Sequence, residues 1–294
     1  MGFTLANVNG RSALVDGDHY FDVETISDGA LPSDPMRALA HSTELTALAE
    51  TLASRTPTGV LADVVLGPPD PQPQKSFAIG LNYLDHAAEG SMEVPANPLV
   101  FTKFPSCLTG PHADVEMRSD YCDYEGELVV VIGQGGKDIP AERAWEHVVG
   151  VMVGQDISDR KVQFAAKPPH FDLGKSFDTF GPTGPVLVSL DRIGNPCDLR
   201  IVTSVNGETR QDDTVANMVF DVPTVIAYLS QITTLVTGDL IFTGTPAGIG
   251  AVHGKFLADG DVITTTIDGI GTLVNRCVRV SDHTSPGDKI GGAS

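Results

Sequence analysis

Asp123-Tyr124-Glu125-Gly126-Glu127-Leu128-Val129-Val130-Val131-Ile132-Gly133 is the stretch on which the reading of this chain turns. The β-branched run after Glu127 predicts a buried strand. Side chains alternate across a strand, so Glu125 and Glu127 share a face. Two carboxylates there repel each other and call for a metal ion, a cationic partner or a proton held at raised pKa. A second apolar run, Val148-Val149-Gly150-Val151-Met152-Val153-Gly154, ends at Gln155-Asp156 and supplies a third carboxylate. Three oxygen donors with no His or Cys nearby suit a hard cation, Mg²⁺ or Mn²⁺, better than zinc. The plain alternative is three solvated acids in an acid-rich chain.

The chain is indeed acidic. Its 294 residues carry 38 Asp and Glu against 19 Lys and Arg, a net charge of −19. That balance argues against nucleic acid and anionic membrane as partners, since both require basic patches. An anionic substrate then needs a local cation. A hydrophobic share of 41% with many Gly and Pro fits a soluble, loop-rich globular protein. No run approaches the length of a membrane span, and no signal peptide is recognisable. Cys107, Cys122, Cys197 and Cys277 have no CxxC spacing and read as reduced thiols of a cytoplasmic protein.

Working outward, residues 3–26 read as short strands with a turn at Asp16-Gly17-Asp18, and 36–54 as a helix begun by Asp34-Pro35. Leu66-Gly67-Pro68-Pro69-Asp70-Pro71-Gln72-Pro73 is a stiff linker. It divides a small N-terminal α/β cap domain, 1–70, from a catalytic domain, 71–284, with a flexible tail at 285–294. His86 and Glu89 are three apart, so one helical turn puts them on one face, where a carboxylate can orient an imidazole base. Their plain reading is a surface pair. The segment 90–98 reads as a lid loop, Pro98-Leu99-Val100-Phe101-Thr102-Lys103 as a strand, and 141–148 as a short helix with Trp145 in the core.

Arg160 and Gln163 fall on one face of a helix after Asp156. Arg160 is suited to grip a substrate carboxylate, or else forms a surface salt bridge. Lys175 follows Gly174 in a tight setting, where its ammonium suits an anionic ligand, or is simply solvated. The last third reads as mostly β, with a hairpin at Asn206-Gly207 and a helix from about Val222 to Gln231. Its Gly/Pro-rich turn, Thr243-Gly244-Thr245-Pro246-Ala247-Gly248, offers amides and hydroxyls to a ligand. The turn is not a P-loop: it lacks Gly-Lys-Ser/Thr and no following helix is expected.

Four motifs stand in a fixed order: Gly-Leu-Asn-Tyr-x-x-His-Ala-x-Glu at 80–89, Tyr-Glu-Gly-Glu-Leu at 124–128, Lys-Ser-Phe-Asp-Thr-Phe-Gly-Pro at 175–182 and Thr-Gly-Thr-Pro-Ala-Gly at 243–248. Together they resemble the fumarylacetoacetate hydrolase superfamily in its small bacterial form, which includes acylpyruvate hydrolases and 2-hydroxyhepta-2,4-diene-1,7-dioate isomerases. The resemblance runs from about Ser76 to Val280. It implies an α+β, mostly β fold, a mixed β-sandwich roll, usually homodimeric. It implies Glu125, Glu127 and Asp156 as ligands of Mg²⁺ or Mn²⁺. His86 and Glu89 match the water-activating pair, and Lys175 the active-site lysine. Arg160, Gln163 and Thr245 match substrate contacts. The chain departs from the family pattern at Gln155, where Asn is expected, and Ser76 to Leu84 lacks the further acid that the longer eukaryotic members carry ahead of the catalytic histidine.

The activity implied is metal-dependent hydrolysis of a C–C bond in a small anionic 1,3-diketo acid of the acylpyruvate or fumarylpyruvate type, through an enolate. Decarboxylation of oxaloacetate, and isomerisation or hydration of 2-oxo acids in aromatic or sugar-acid catabolism, are alternatives on the same site. A non-catalytic, ligand-binding member is the alternative from another class.

Overall fold

The strand Gly126–Ile132 lies inside the protein along its whole length. It runs antiparallel to Val148–Gln155 on one side and to Leu240–Phe242 on the other. The computed structural model describes residues 2–90 and 92–280. The tail expected at 285–294, with the last four residues of the expected catalytic domain, lies outside the described residues.

The architecture is α+β and mostly β, a mixed β-roll of two main sheets. The larger has twelve strands. Its path runs from Gly59–Val60 through His19–Asp22, Arg11–Asp16, Thr4–Val8, Gly181–Val188 and Val148–Gln155 to the central strand. It then continues through Leu240–Phe242 and Ser76–Gly80 to Leu99–Thr102. The N-terminal strands therefore belong to the same sheet, through Thr4 and Leu5 paired with Val188 and Leu187. The smaller sheet has five strands, with Arg200–Val205, Val262–Ile267 and Gly271–Arg279 at its centre.

The parity of the central strand decides what each face meets. Leu128, Val130 and Ile132 share a core with Val225, Ile226 and Leu229 of the helix Val222–Ile232 and with Ile201 and Leu273 of the second sheet. Val129 and Val131 share a core with Leu5, Leu14, Leu39 and Leu45 of the N-terminal segment. Burial on both faces is why the run is continuously apolar. Glu125 and Glu127 have the parity of Val129, so the apolar face ends where the acids begin. Gly126 has the opposite parity and lies against the second sheet. A Cβ there would stand 2.1 Å from Thr203 Oγ1, so only glycine lets the sheets approach this closely.

Most expected elements form. Asn206 and Gly207 have φ of 52° and 80°, as the tight hairpin between Arg200–Val205 and Glu208–Thr214 requires. The turn Asp16-Gly17-Asp18 joins two paired strands, and Trp145 packs against the core from a 3₁₀ segment, Ala141–His147. The helix read over 36–54 is broken. Asp34 caps Pro35–Ala38, a 3₁₀ turn follows at Leu39–His41, and Ser42–Ala49 is a separate helix. The non-helical backbone of His41 makes the break, a local conformation that apolar spacing does not encode. A short helix, Gly250–His253, also follows the Thr243–Gly248 turn, where none was expected.

Candidate metal and active site

Pairing of Gly126 with Gln155 fixes the neighbours of both strands. The Asp156 N–H donates to the Glu125 carbonyl at 2.8 Å, which sets the third acid beside the first. Glu125, Glu127 and Asp156 each place a carboxylate oxygen within 4.8 Å of the others, and all three are buried. The alternative of solvated acids is thereby removed. Gln155, where Asn was expected, uses its extra methylene to span the sheets. Its Oε1 accepts from Glu125 N at 3.0 Å and its Nε2 donates to Thr265 Oγ1 at 2.6 Å.

Cations surround this triad. Lys175 Nζ donates to Glu125 Oε2 at 2.7 Å and to Asp156 Oδ2 at 2.6 Å. It follows the short helix Phe171–Gly174, which packs tightly because a Cβ on Gly174 would come 2.7 Å from the Gln163 nitrogen. Arg160 Nη2 donates to Glu125 Oε1 at 2.6 Å and to Asp123 Oδ2 at 2.8 Å, and its Nη1 donates to Gln163 Oε1 at 3.0 Å. Thr245 Oγ1 donates to the Gly126 carbonyl at 2.8 Å and accepts from Gln211 Nε2 at 2.7 Å.

The balance of charge explains the titration of the two glutamates. Burial opposes ionisation of Glu125, but Lys175 and Arg160 outweigh it and hold this carboxyl well below its ordinary range. Burial, then the charges of Asp156 and Glu125, pushes Glu127 well above its ordinary range. Glu127 Oε2 accepts from the Gly244 N–H at 2.8 Å and, among the described residues, Glu127 has no ion pair. A buried carboxylate short of positive charge, beside two others, is the donor set a hard divalent cation completes. The residues present therefore fit Mg²⁺ or Mn²⁺.

His86 sits on the helix Leu84–Glu89, buried and facing the same cavity. Burial lowers its pKa, so the imidazole is neutral near pH 7. The expected His86–Glu89 pair is adjacent but unbonded. Nδ1 lies 3.9 Å from Glu89 Oε2 and has no hydrogen-bond partner. Glu89 is held instead by the Gly248 N–H at 2.9 Å and by His253 Nε2 at 2.7 Å. The cavity is about 260 Å³. Glu125, Lys175, Arg160, Gln163, Thr245 and His86 form its polar wall, and Ile79, Phe101, Phe164, Phe171, Ile249 and Val252 its apolar one.

Three residues here escaped the sequence reading. Lys103 is buried, with its Nζ on Asp156 Oδ1 at 2.7 Å and also on the Lys175 and Phe180 carbonyls. Its signal was parity with buried Phe101. Asp123 shares the parity of Glu125 and Glu127. It receives Arg160 and the Gly250 and Ala251 amides. Nothing in the sequence marked His253.

A buried acid triad contacted by two lysines and an arginine is a site that could hold a divalent cation. Residues 75–278 match the family described as Fumarylacetoacetate (FAA) hydrolase C-terminal, and the chain belongs to that family. It is 42% identical over 274 residues to oxaloacetate tautomerase YisK of Bacillus subtilis, covering 87% of this chain and 88% of the relative. It is 39% identical over 231 residues to the human mitochondrial oxaloacetate tautomerase FAHD2A, covering 77% and 74%. The structure of maleylpyruvate hydrolase from Sphingobium sp. SYK-6 with manganese(II) and pyruvate matches with a TM-score of 0.79. It is 28% identical to this chain, with 94% of this chain and 99% of that one covered. The chain is thus similar to enzymes that handle small organic acids by more than one reaction. No helix among the described residues is long and apolar enough to cross a membrane.

Proposed function

We propose that this protein is a divalent-metal-dependent enzyme that enolises a small 2-oxo acid, and that oxaloacetate, interconverted between its keto and enol forms, is its substrate. One observation carries the reading. A neutral, buried imidazole with an unpartnered Nδ1 faces a cavity lined by Glu125, one member of the acid triad. Enolisation asks for one base and one electrophilic centre, and no activated water. Similarity to two oxaloacetate tautomerases supports it.

A cation held by Glu125, Glu127 and Asp156 would supply Lewis acidity to the 2-oxo group and so acidify the adjacent C–H. The rest falls to the chain. His86 takes the proton from carbon and returns it to oxygen. Lys175, anchored between Glu125 and Asp156, stabilises negative charge as it develops on the substrate. The apolar wall keeps water from the reacting atoms. Gln163 and Thr245 contact the substrate, and Arg160 helps hold its carboxylate end while pinned by Asp123. We further read the protein as a cytoplasmic homodimer. Four unpaired thiols suit a reducing compartment, and exposed Leu84, Phe164 and Leu173 provide apolar surface for a second copy.

The second reading is hydrolysis of a C–C bond in a 1,3-diketo acid, favoured by the likeness to maleylpyruvate hydrolase. It needs Glu89 to orient His86 towards water. The chain is 42% identical to oxaloacetate tautomerase YisK and 28% to that hydrolase, which places this reading second. The test follows enol oxaloacetate by its ultraviolet absorbance with Mn²⁺ or Mg²⁺ and with EDTA. Pyruvate is assayed in parallel from oxaloacetate and acetylpyruvate. Fast metal-dependent ketonisation without pyruvate supports tautomerisation. Pyruvate from acetylpyruvate would move the protein to the hydrolases, and pyruvate from oxaloacetate to the decarboxylases. No acceleration of any of these would overturn the reading.

A further inference from the structure

Glu89 stands between two histidines. His86, on its own helix, is buried, its side chain 7% exposed, with Nδ1 3.9 Å from Glu89 Oε2. His253, at the end of Gly250–His253, is 54% exposed, with Nε2 2.7 Å from Glu89 Oε1. Glu89 itself is 14% exposed. The three side chains thus form a file from the cavity to solvent, ordered by exposure. The carboxylate is fixed by the Gly248 N–H at 2.9 Å. Gly248 is in turn braced by the Tyr124 hydroxyl, which donates to its carbonyl at 2.9 Å. A buried, unpartnered Nδ1 aimed at a carboxylate is costly unless it is used.

We propose that His86, Glu89 and His253 form a proton relay joining the cavity to bulk water, with His253 its outer, positioning member. The proposal rests on the reading of His86 as the cavity base. The steps balance. A substrate C–H bond breaks and its proton binds one imidazole nitrogen of His86. The Nδ1 proton passes to Glu89 Oε2 once rotation of the side chains closes the gap. With Glu89 protonated, His253 exchanges with water to the tautomer that carries hydrogen on Nδ1. A half-turn of the carboxyl about Cγ–Cδ, which swaps the oxygen held by Gly248, presents the proton to the free Nε2, and Nδ1 releases its own to water. Each transfer breaks one bond to hydrogen and makes one, with no redox partner. Run backwards, the same file delivers a proton to the cavity.

A relay and a mere clamp differ at one substitution. His253→Gln keeps a donor for Glu89 but carries no proton, whereas His253→Ala removes both. Histidine-labelled full-length protein with Mg²⁺ would be studied by ¹⁵N NMR, reading exchange of the His86 ring N–H with water. Turnover of oxaloacetate at low buffer concentration would be read alongside. The relay predicts slower exchange in both variants by about ten-fold or more, below the usual span for a positioned proton-transfer group. Added imidazole restores the rate, and the Mg²⁺-induced rise in Tm stays unchanged. Wild-type exchange in His253→Gln would overturn the relay and leave a structural bridge. If His253 controls exchange while wild-type protein turns over no 2-oxo acid, the relay stands and the proposed reaction fails.

Discussion

Lys103 Nζ donates to Asp156 Oδ1 at 2.7 Å, inside the protein and out of contact with water. Lys175 takes the other oxygen of the same carboxylate at 2.6 Å. Lys103 also binds the Lys175 backbone carbonyl. The buried lysine therefore sets one carboxylate of the acid triad and the backbone of the lysine that faces the cavity. Burial works against its charge, but Asp156 outweighs this, so it stays protonated with its pKa raised.

Removing that lysine should be expensive. Lys103→Met leaves Asp156 Oδ1 and the Lys175 carbonyl without a donor, while the Phe180 carbonyl keeps the Ile157 N–H. Breaking one side of a buried ion pair costs about 3–5 kcal/mol. Urea unfolding should show that loss, and Mn²⁺ binding by calorimetry should weaken as Asp156 loses its fixed orientation. Unchanged stability would show that Lys103 is replaceable by packing alone.

Gly126→Ala tests the approach of the two sheets. The new Cβ would meet Thr203 Oγ1 at 2.1 Å and Thr265 Cγ2 at 3.0 Å. Overpacking of this kind costs about 1–3 kcal/mol. The substitution sits between two proposed ligands, so thermal stabilisation by Mn²⁺ should shrink along with Tm. A normal metal response would mean that the acids tolerate a shift of their strand.

His86→Ala should lower kcat by about 10²–10⁴-fold, the usual worth of a positioned base. His86 lies outside the acid triad, so Mn²⁺ affinity should hold. Turnover equal to wild type would remove His86 from the mechanism.

The pH dependence follows from the same residue. Burial lowers the folded-state pKa of His86 below its ordinary 6.5. Between the lowered value and 6.5 the unfolded chain binds a proton that the folded protein refuses, so stability falls as pH falls through that window. It is fully present above 6.5. The base form also persists there, so the acid limb of kcat/KM should lie below pH 6.5. A limb at or above 6.5 would contradict the burial argument, and His86→Gln should flatten the matching slope in stability.

Much of this site was legible because strand parity is rigid. Glu125 and Glu127 share a face for the reason Val129 and Val131 do, and Asp156 is brought alongside by antiparallel register. Parity also contained Asp123 and Lys103, but a lysine at a strand end and an acid at a strand start are ordinarily solvated. Only the packed structure shows both buried. His253 was illegible because its role depends on where an unpredicted four-residue helix ends. The broken helix over 36–54 shows the same limit, since its apolar spacing continues through a backbone break at His41. The His86–Glu89 spacing correctly made them neighbours. It could not reveal that Gly248 and His253, more than 150 residues away, would take the carboxylate.

The central claim is metal-dependent enolisation with His86 as base. Its most direct test is deuterium exchange at C3 of pyruvate in D₂O, followed by proton NMR, with enzyme and Mg²⁺, with EDTA, and with His86→Ala. The account predicts exchange that requires both the cation and His86. Exchange no faster than with Mg²⁺ alone, in protein shown by its Tm to bind the metal, would contradict it.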